Sequence, residues 1–171
     1  MTVTENRLKE LASLLKKGNN EALVPAIELL REEQPFEGAI GLLTSFYDKT
    51  EELPVRKAIE VFMNDLKNPS AAPEVINEIR KQWNPDTISM LVSSCWQSGL
   101  DYSLYAADLA EVFLKGDYIT AIECLTVIEE TSNNLTREKK DEIIGIINEK
   151  PGFHANEKRE LTMELLSILK K

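Results

Sequence analysis

From Asn84 to Glu130 the chain carries three apolar stripes at helical spacing, and each one stops where a turn signal stands. Ile88, Leu91, Val92, Cys95 and Trp96 form the first; Tyr102, Tyr105, Ala106, Leu109 and Phe113 the second; Tyr118, Ala121, Ile122, Leu125 and Ile128 the third. Asn84-Pro85, Gly99 with Asp101, and Gly116 with Asp117 supply starts and stops. Apolar residues at i, i+3, i+4 and i+7 give a helix one dry face, whereas a half-buried strand needs strict alternation. No alternating run occurs, so the chain is predicted to be all-α.

The same pattern extends outward in both directions. A first helix over about residues 5–17 carries Leu8, Leu11, Ala12 and Leu15 and closes on Lys16-Lys17-Gly18, a basic last turn with a glycine C-cap. A second, capped by Asn20, carries Leu23, Ala26, Ile27 and Leu30, with Pro25 near its first turn, and ends before Pro35. Phe36, Ala39, Ile40, Leu43 and Tyr47 make the third, where Gly38 and Gly41 allow close approach by a neighbour. The fourth starts at Pro54 and buries Val55, Ala58, Ile59, Phe62, Met63 and Leu66; the fifth, capped by Ser70, presents Ala72, Val75, Ile76, Ile79 and Trp83. After the Thr131–Asn134 loop, Thr136 caps a ninth with Ile143, Ile144 and Ile147, ended by Pro151-Gly152. A tenth, from about Asn156, carries Leu161, Leu165, Ile168 and Leu169. Short connectors make successive helices antiparallel neighbours, and 171 residues suffice for one core, so a single domain over 1–171 is expected.

Charge narrows the classes of partner. The net charge is −9, and residues 1–83, 84–134 and 135–171 contribute −3, −7 and +1. The central stretch thus holds most of the acidity, although Thr87–Leu100 within it has no charged residue and is expected to be the most buried part. A nucleic-acid or anionic-membrane partner needs a basic stripe, so neither is expected, and a basic protein surface fits better. No window reaches the ~20 apolar residues of a membrane span, and the charged N-terminus lacks a secretory apolar core, so a cytoplasmic chain is expected. Cys95 and Cys124, among apolar neighbours, read as buried thiols.

Internal echoes suggest a repeat. Glu60-Val61-Phe62 matches Glu111-Val112-Phe113, and Ala26-Ile27-Glu28 matches Ala121-Ile122-Glu123, consistent with a three-helix period of about fifty residues. Five simple helical hairpins account for the helix count equally well. Pro54-Val55-Arg56-Lys57-Ala58-Ile59 looks like the start of a HEAT inner helix, and Gly99-Leu100-Asp101 followed by Ala106-Ala107-Asp108-Leu109-Ala110 looks like a second copy without the basic residue. Over residues 36–131 the chain resembles the HEAT and armadillo-like repeat superfamily. That resemblance implies a right-handed α-solenoid of about ten antiparallel helices, used to bind proteins on a concave face.

Chemistry-bearing motifs are scarce. His154, the lone histidine, reads as a surface or cap residue. Glu32-Glu33, Glu51-Glu52 and Glu129-Glu130 sit near helix ends, where solvated charge is expected. No metal, phosphate-loop or dinucleotide pattern is present, so no cofactor is expected and an enzyme is the minor reading. Its one form is a HEAT-like DNA glycosylase using Trp83, Trp96, Tyr102, Tyr105 and Asp108, aromatics that core packing explains better. A purely structural homo-oligomer is the remaining alternative. For the binding class, Leu104, Asp108, Glu111 and Lys115 share the face of the seventh helix opposite Tyr102, Leu109 and Phe113, which suits a basic, amphipathic peptide. The equivalent places on the fourth helix are Arg56, Lys57, Glu60 and Asn64.

Overall fold

The computed structural model describes residues 2–33, 36–149 and 156–171, so Pro35, Pro151-Gly152 and His154 lie outside the described residues. Among the described residues ten α-helices follow in order: α1 Val3–Lys17, α2 Asn20–Glu33, α3 Ala39–Lys49, α4 Leu53–Asn64, α5 Ala71–Ile79, α6 Pro85–Gln97, α7 Ala106–Lys115, α8 Tyr118–Thr131, α9 Arg137–Asn148 and α10 Arg159–Lys170. No strand occurs among the described residues. The all-α expectation holds, and the helices fall into two compact units, Met1–Leu100 and Asp101–Lys171.

Within the first unit, α1 pairs with α2, α3 with α4 and α5 with α6, and each helix also packs on the next but one: α1 on α3, α2 on α4, α3 on α5, α4 on α6. The second unit repeats the rule, with α7 and α8 paired, α9 and α10 paired, α7 on α9 and α8 on α10. Alternate helices therefore stack in two layers within each unit. α3 also packs on α6.

Local chemistry sets several helix ends. Thr2 and Glu5 form a capping box at α1, with the Thr2 N–H donating to the Glu5 carboxylate at 2.6 Å, and Gly18 closes the helix in the left-handed region at φ 65. The Asp117 carboxylate accepts the Thr120 N–H at 2.8 Å, and the Thr136 hydroxyl accepts the Lys139 N–H at 3.3 Å.

Four expected caps differ. Asn19, rather than Asn20, accepts the Glu21 N–H at 3.1 Å. Ser70 is already helical in conformation, and Asn68 takes its N–H at 3.0 Å in a tight turn. Asp101 accepts the Ser103 N–H at 2.9 Å, which bends the chain into a 3-10 turn at Ser103–Tyr105 and delays α7 to Ala106. Asn84 stands at the N-cap of α6 without a side-chain cap bond; the Asp48 carboxylate holds this end from α3, accepting the Asn84 N–H at 2.9 Å and the Thr87 hydroxyl at 2.7 Å. Trp83 lies beyond α5 and donates its indole N–H to the Glu78 carbonyl at 3.0 Å.

The contact between α3 and α5 is built on two carboxylates. Gly38, at φ 89, offers no side-chain cap to α3, and Glu74 of α5 accepts its N–H at 3.2 Å. Four residues on, the Glu78 side chain is only 8% exposed and pairs with Lys81 at 2.6 Å. A Cβ on Gly41 would stand 3.1 Å from that Glu78 carboxylate, so any larger residue there has to displace the carboxylate by a few tenths of an ångström. Burial pushes the Glu74 carboxyl above its ordinary value of 4.5, the Gly38 N–H pulls it down, and the Glu37 and Glu78 charges push it up. A carboxyl raised in the folded state favours folding most at pH below 4.5 and loses that contribution as pH rises through the folded value. Glu74→Gln is therefore expected to gain stability relative to the parent as pH rises above 4.5. Parallel urea-stability profiles of the two proteins across that range would contradict this assignment.

Both cysteines are buried as thiols, in agreement with the sequence reading. Thr87–Leu100 is largely buried through Thr87, Met90, Leu91, Val92, Ser94 and Cys95, but Trp96 is an exception at 40% exposure.

Candidate protein-docking surface

The corner between α7 and α8 is tightly fixed. Gly116 closes α7 by donating its N–H to the Val112 carbonyl at 2.8 Å, and a Cβ there would meet Thr120 Cγ2 at 2.9 Å. Lys158, just ahead of α10, places its ammonium on the carbonyls of Phe113 at 3.0 Å and Leu114 at 3.2 Å and on that of Gly116. These are carbonyls at the C-terminal end of α7, where a cation also opposes the helix dipole. Burial pushes the Lys158 amine below its ordinary value, while the Asp117 carboxylate raises it. Asp117 then caps α8, so the direction in which α8 leaves the corner is set from both sides.

Along α8, Thr120, Ala121, Cys124, Leu125, Val127, Ile128 and Thr131 are buried. The opposite face holds Tyr118 at 43% exposure, Ile119 at 62% and Ile122 at 38%. The helical spacing predicts Tyr118 and Ile122 in the core, and the structure leaves both partly exposed. Periodicity marks a stripe but does not say which of two apolar faces turns inward, and α8 has both. Ile119 was missed for the same reason. Its adjacency to two other apolar residues on the arc opposite Cys124 and Ile128 is the signal that could have found it.

The expected binding residues are distributed as follows. Leu104 is 78% exposed but sits in the 3-10 turn ahead of α7, so its i+4 relation to Asp108 is not that of a continuous α-helix. Asp108 and Glu111 lie half-buried on α7, Asp108 in the first turn where the dipole favours it, and Glu111 pairs with Lys115 at 3.7 Å.

Arg56, Lys57 and Glu60 lie on α4 in the other unit, inside a local network. The Arg56 guanidinium stacks 4.2 Å over the Tyr47 ring and lies 3.8 Å from the Asp86 carboxylate. The Tyr47 hydroxyl donates to Glu60 at 3.0 Å, and Lys57 lies 3.5 Å from the same carboxylate. The Asn64 amide donates to Gln97 at 3.1 Å. Burial raises the Tyr47 hydroxyl's pKa, and Tyr47 raises that of Arg56. The α4 set is thus held by its own unit, whereas Leu104 stands in solvent.

The residues named for a glycosylase-type reaction are also divided. Trp83 and Trp96 fall in the first unit, while Tyr102, Tyr105 and Asp108 fall in the second. Tyr102 is fully buried, with its ring 6.4 Å from that of Tyr105. The three glutamate pairs are all solvent-exposed. Among the described residues no cluster of three or more His, Cys, Asp or Glu is placed to hold a metal ion, and no helix is long and apolar enough to cross a membrane.

Fold and surface together define an all-α protein of paired helices with an apolar strip on the outside of α8. No family model, curated protein or solved structure matches the chain.

Proposed function

We propose that the chain is a helical protein-interaction module whose second unit docks a protein segment. The outward face of α8 carries this reading. Tyr118, Ile119 and Ile122 are exposed on a helix already anchored by its other face. Ile119, at 62% exposure and flanked by the partly exposed Tyr118 and Ile122, leaves apolar surface for a partner to cover. Exposed Leu104 and the half-buried acids Asp108 and Glu111 belong to the same unit and favour a basic or amphipathic partner. The stacking of alternate helices supports reading the hairpins of each unit as turns of a right-handed, HEAT-like α-solenoid. Two buried thiols fit a reducing, cytoplasmic setting.

The test is affinity capture with wild type, Ile119→Glu/Ile122→Glu and Asp108→Lys/Glu111→Lys, followed by titration of the captured protein after purification. Wild type is expected to retain a partner that the isoleucine variant loses at least tenfold and the charge-reversed variant loses partly. Equal affinity for all three proteins, with unchanged helical circular dichroism, would contradict the proposal.

A further inference from the structure

At 100° per residue, Tyr118, Ile119, Ile122, Glu123, Thr126, Glu129 and Glu130 occupy one arc of about 140° on α8. The residues between them are the buried ones. The arc is graded, with its apolar members in the first two turns and Glu129 and Glu130 in the last. Carboxylates in a last turn face the negative end of the helix dipole, an unfavourable arrangement that a cation would relieve. α8 supplies none: from Gly116 to Thr136 the chain has no Lys or Arg, against Asp117, Glu123, Glu129 and Glu130. The hydroxyl in the middle of the strip, Thr126 Oγ1, already donates to the Ile122 carbonyl at 3.0 Å, so covering it strands no donor.

Building on the docking role just given, we propose that this arc receives an amphipathic helix whose apolar anchors meet Tyr118, Ile119 and Ile122 and whose Lys or Arg residues meet Glu129 and Glu130. Ile122 and Glu129 are seven residues apart, about 10 Å along the axis, so the partner's cations lie about two turns from its anchors. A second copy of the chain fits poorly. Antiparallel pairing of two α8 helices sets each isoleucine strip against the other's glutamates, and parallel pairing sets glutamates against glutamates.

The test titrates the full chain with labelled model peptides of about 14 residues, four helical turns. One has leucines at i, i+3 and i+4 and lysines two turns away; a second replaces the lysines with glutamates; a third replaces the leucines with serines. The lysine peptide is expected to bind about tenfold or more tightly than the glutamate peptide, and the serine peptide not measurably. Ile119→Glu/Ile122→Glu should abolish binding. Glu129→Lys/Glu130→Lys should reverse the preference between the charged peptides, with circular dichroism confirming an intact fold.

Equal binding of lysine and glutamate peptides that still depends on Ile119 and Ile122 would overturn the partner's chemistry while leaving the docking role standing. Lysine-peptide binding untouched by either variant would overturn the surface. No binding by any peptide, with or without a wild-type dimer in light scattering that Ile119→Glu/Ile122→Glu dissociates, would overturn the occupant. Failure of the docking role itself would be seen separately, as equal affinity of wild type and variants for the captured protein.

Discussion

Replacing Phe113 with alanine is expected to lower the stability of the Asp101–Lys171 unit by about 3–5 kcal/mol. Its ring is fully buried on α7, the helix that packs on both α8 and α9. Leu109, Ala110 and Leu114 are buried on the same helix, so a lost ring leaves a void that fixed neighbours fill poorly. Its own carbonyl also receives the Lys158 ammonium, which ties the local backbone in place and limits collapse into the space. Phe113→Leu should cost less, about 1–1.5 kcal/mol, because most of the volume is kept. Urea midpoints followed by far-UV circular dichroism measure both, and a cost below about 1 kcal/mol for the alanine variant would show the site to be loosely packed.

Asp48→Ala should have the second-largest effect, a loss of about 2 kcal/mol in the Met1–Leu100 unit. One carboxylate oxygen on α3 accepts both the N–H of Asn84, the residue just before α6, and the hydroxyl of Thr87, which is buried. Removing it strands the hydroxyl and withdraws a negative group from a helix N-terminus. The coupling is measurable. In a Thr87→Val background the same Asp48→Ala change should cost roughly half as much, because the stranded hydroxyl is already absent. Equal costs in the two backgrounds would mean that the Thr87 bond contributes nothing.

These two sites also mark what local pattern could and could not foretell. Phe113 was assigned to a buried stripe because a 3.6-residue period places it below Leu109, and that holds. Asp117, Thr136 and Gly18 were legible as caps because their partners lie within a few residues. The start of α6 at Asn84-Pro85 was legible as well, but the Asp48 acceptor that holds it was not, because it lies 36 residues away in sequence. Asp101 was misplaced by the same local logic, since an Asx turn competes with a helix cap for one carboxylate. The acidity of the central stretch was plain, but the apolar face it borders was not. Trp96, Tyr118 and Ile122 all continue an apolar stripe, and only tertiary packing decides that they remain partly in water.

The placement of the two indoles gives the molecule a built-in spectroscopic partition. Trp83 and Trp96 both belong to the Met1–Leu100 unit, whereas the other unit holds Tyr102, Tyr105 and Tyr118 and no tryptophan. Indole-selective emission therefore reads one unit, and the ellipticity of the helices reads both. Superimposable melting curves from the two signals mean one cooperative transition, and separated curves mean that the units melt in sequence. The emission trace is expected to carry the Asp48→Ala change directly. If the units melt separately, the Phe113→Ala change should appear in ellipticity alone.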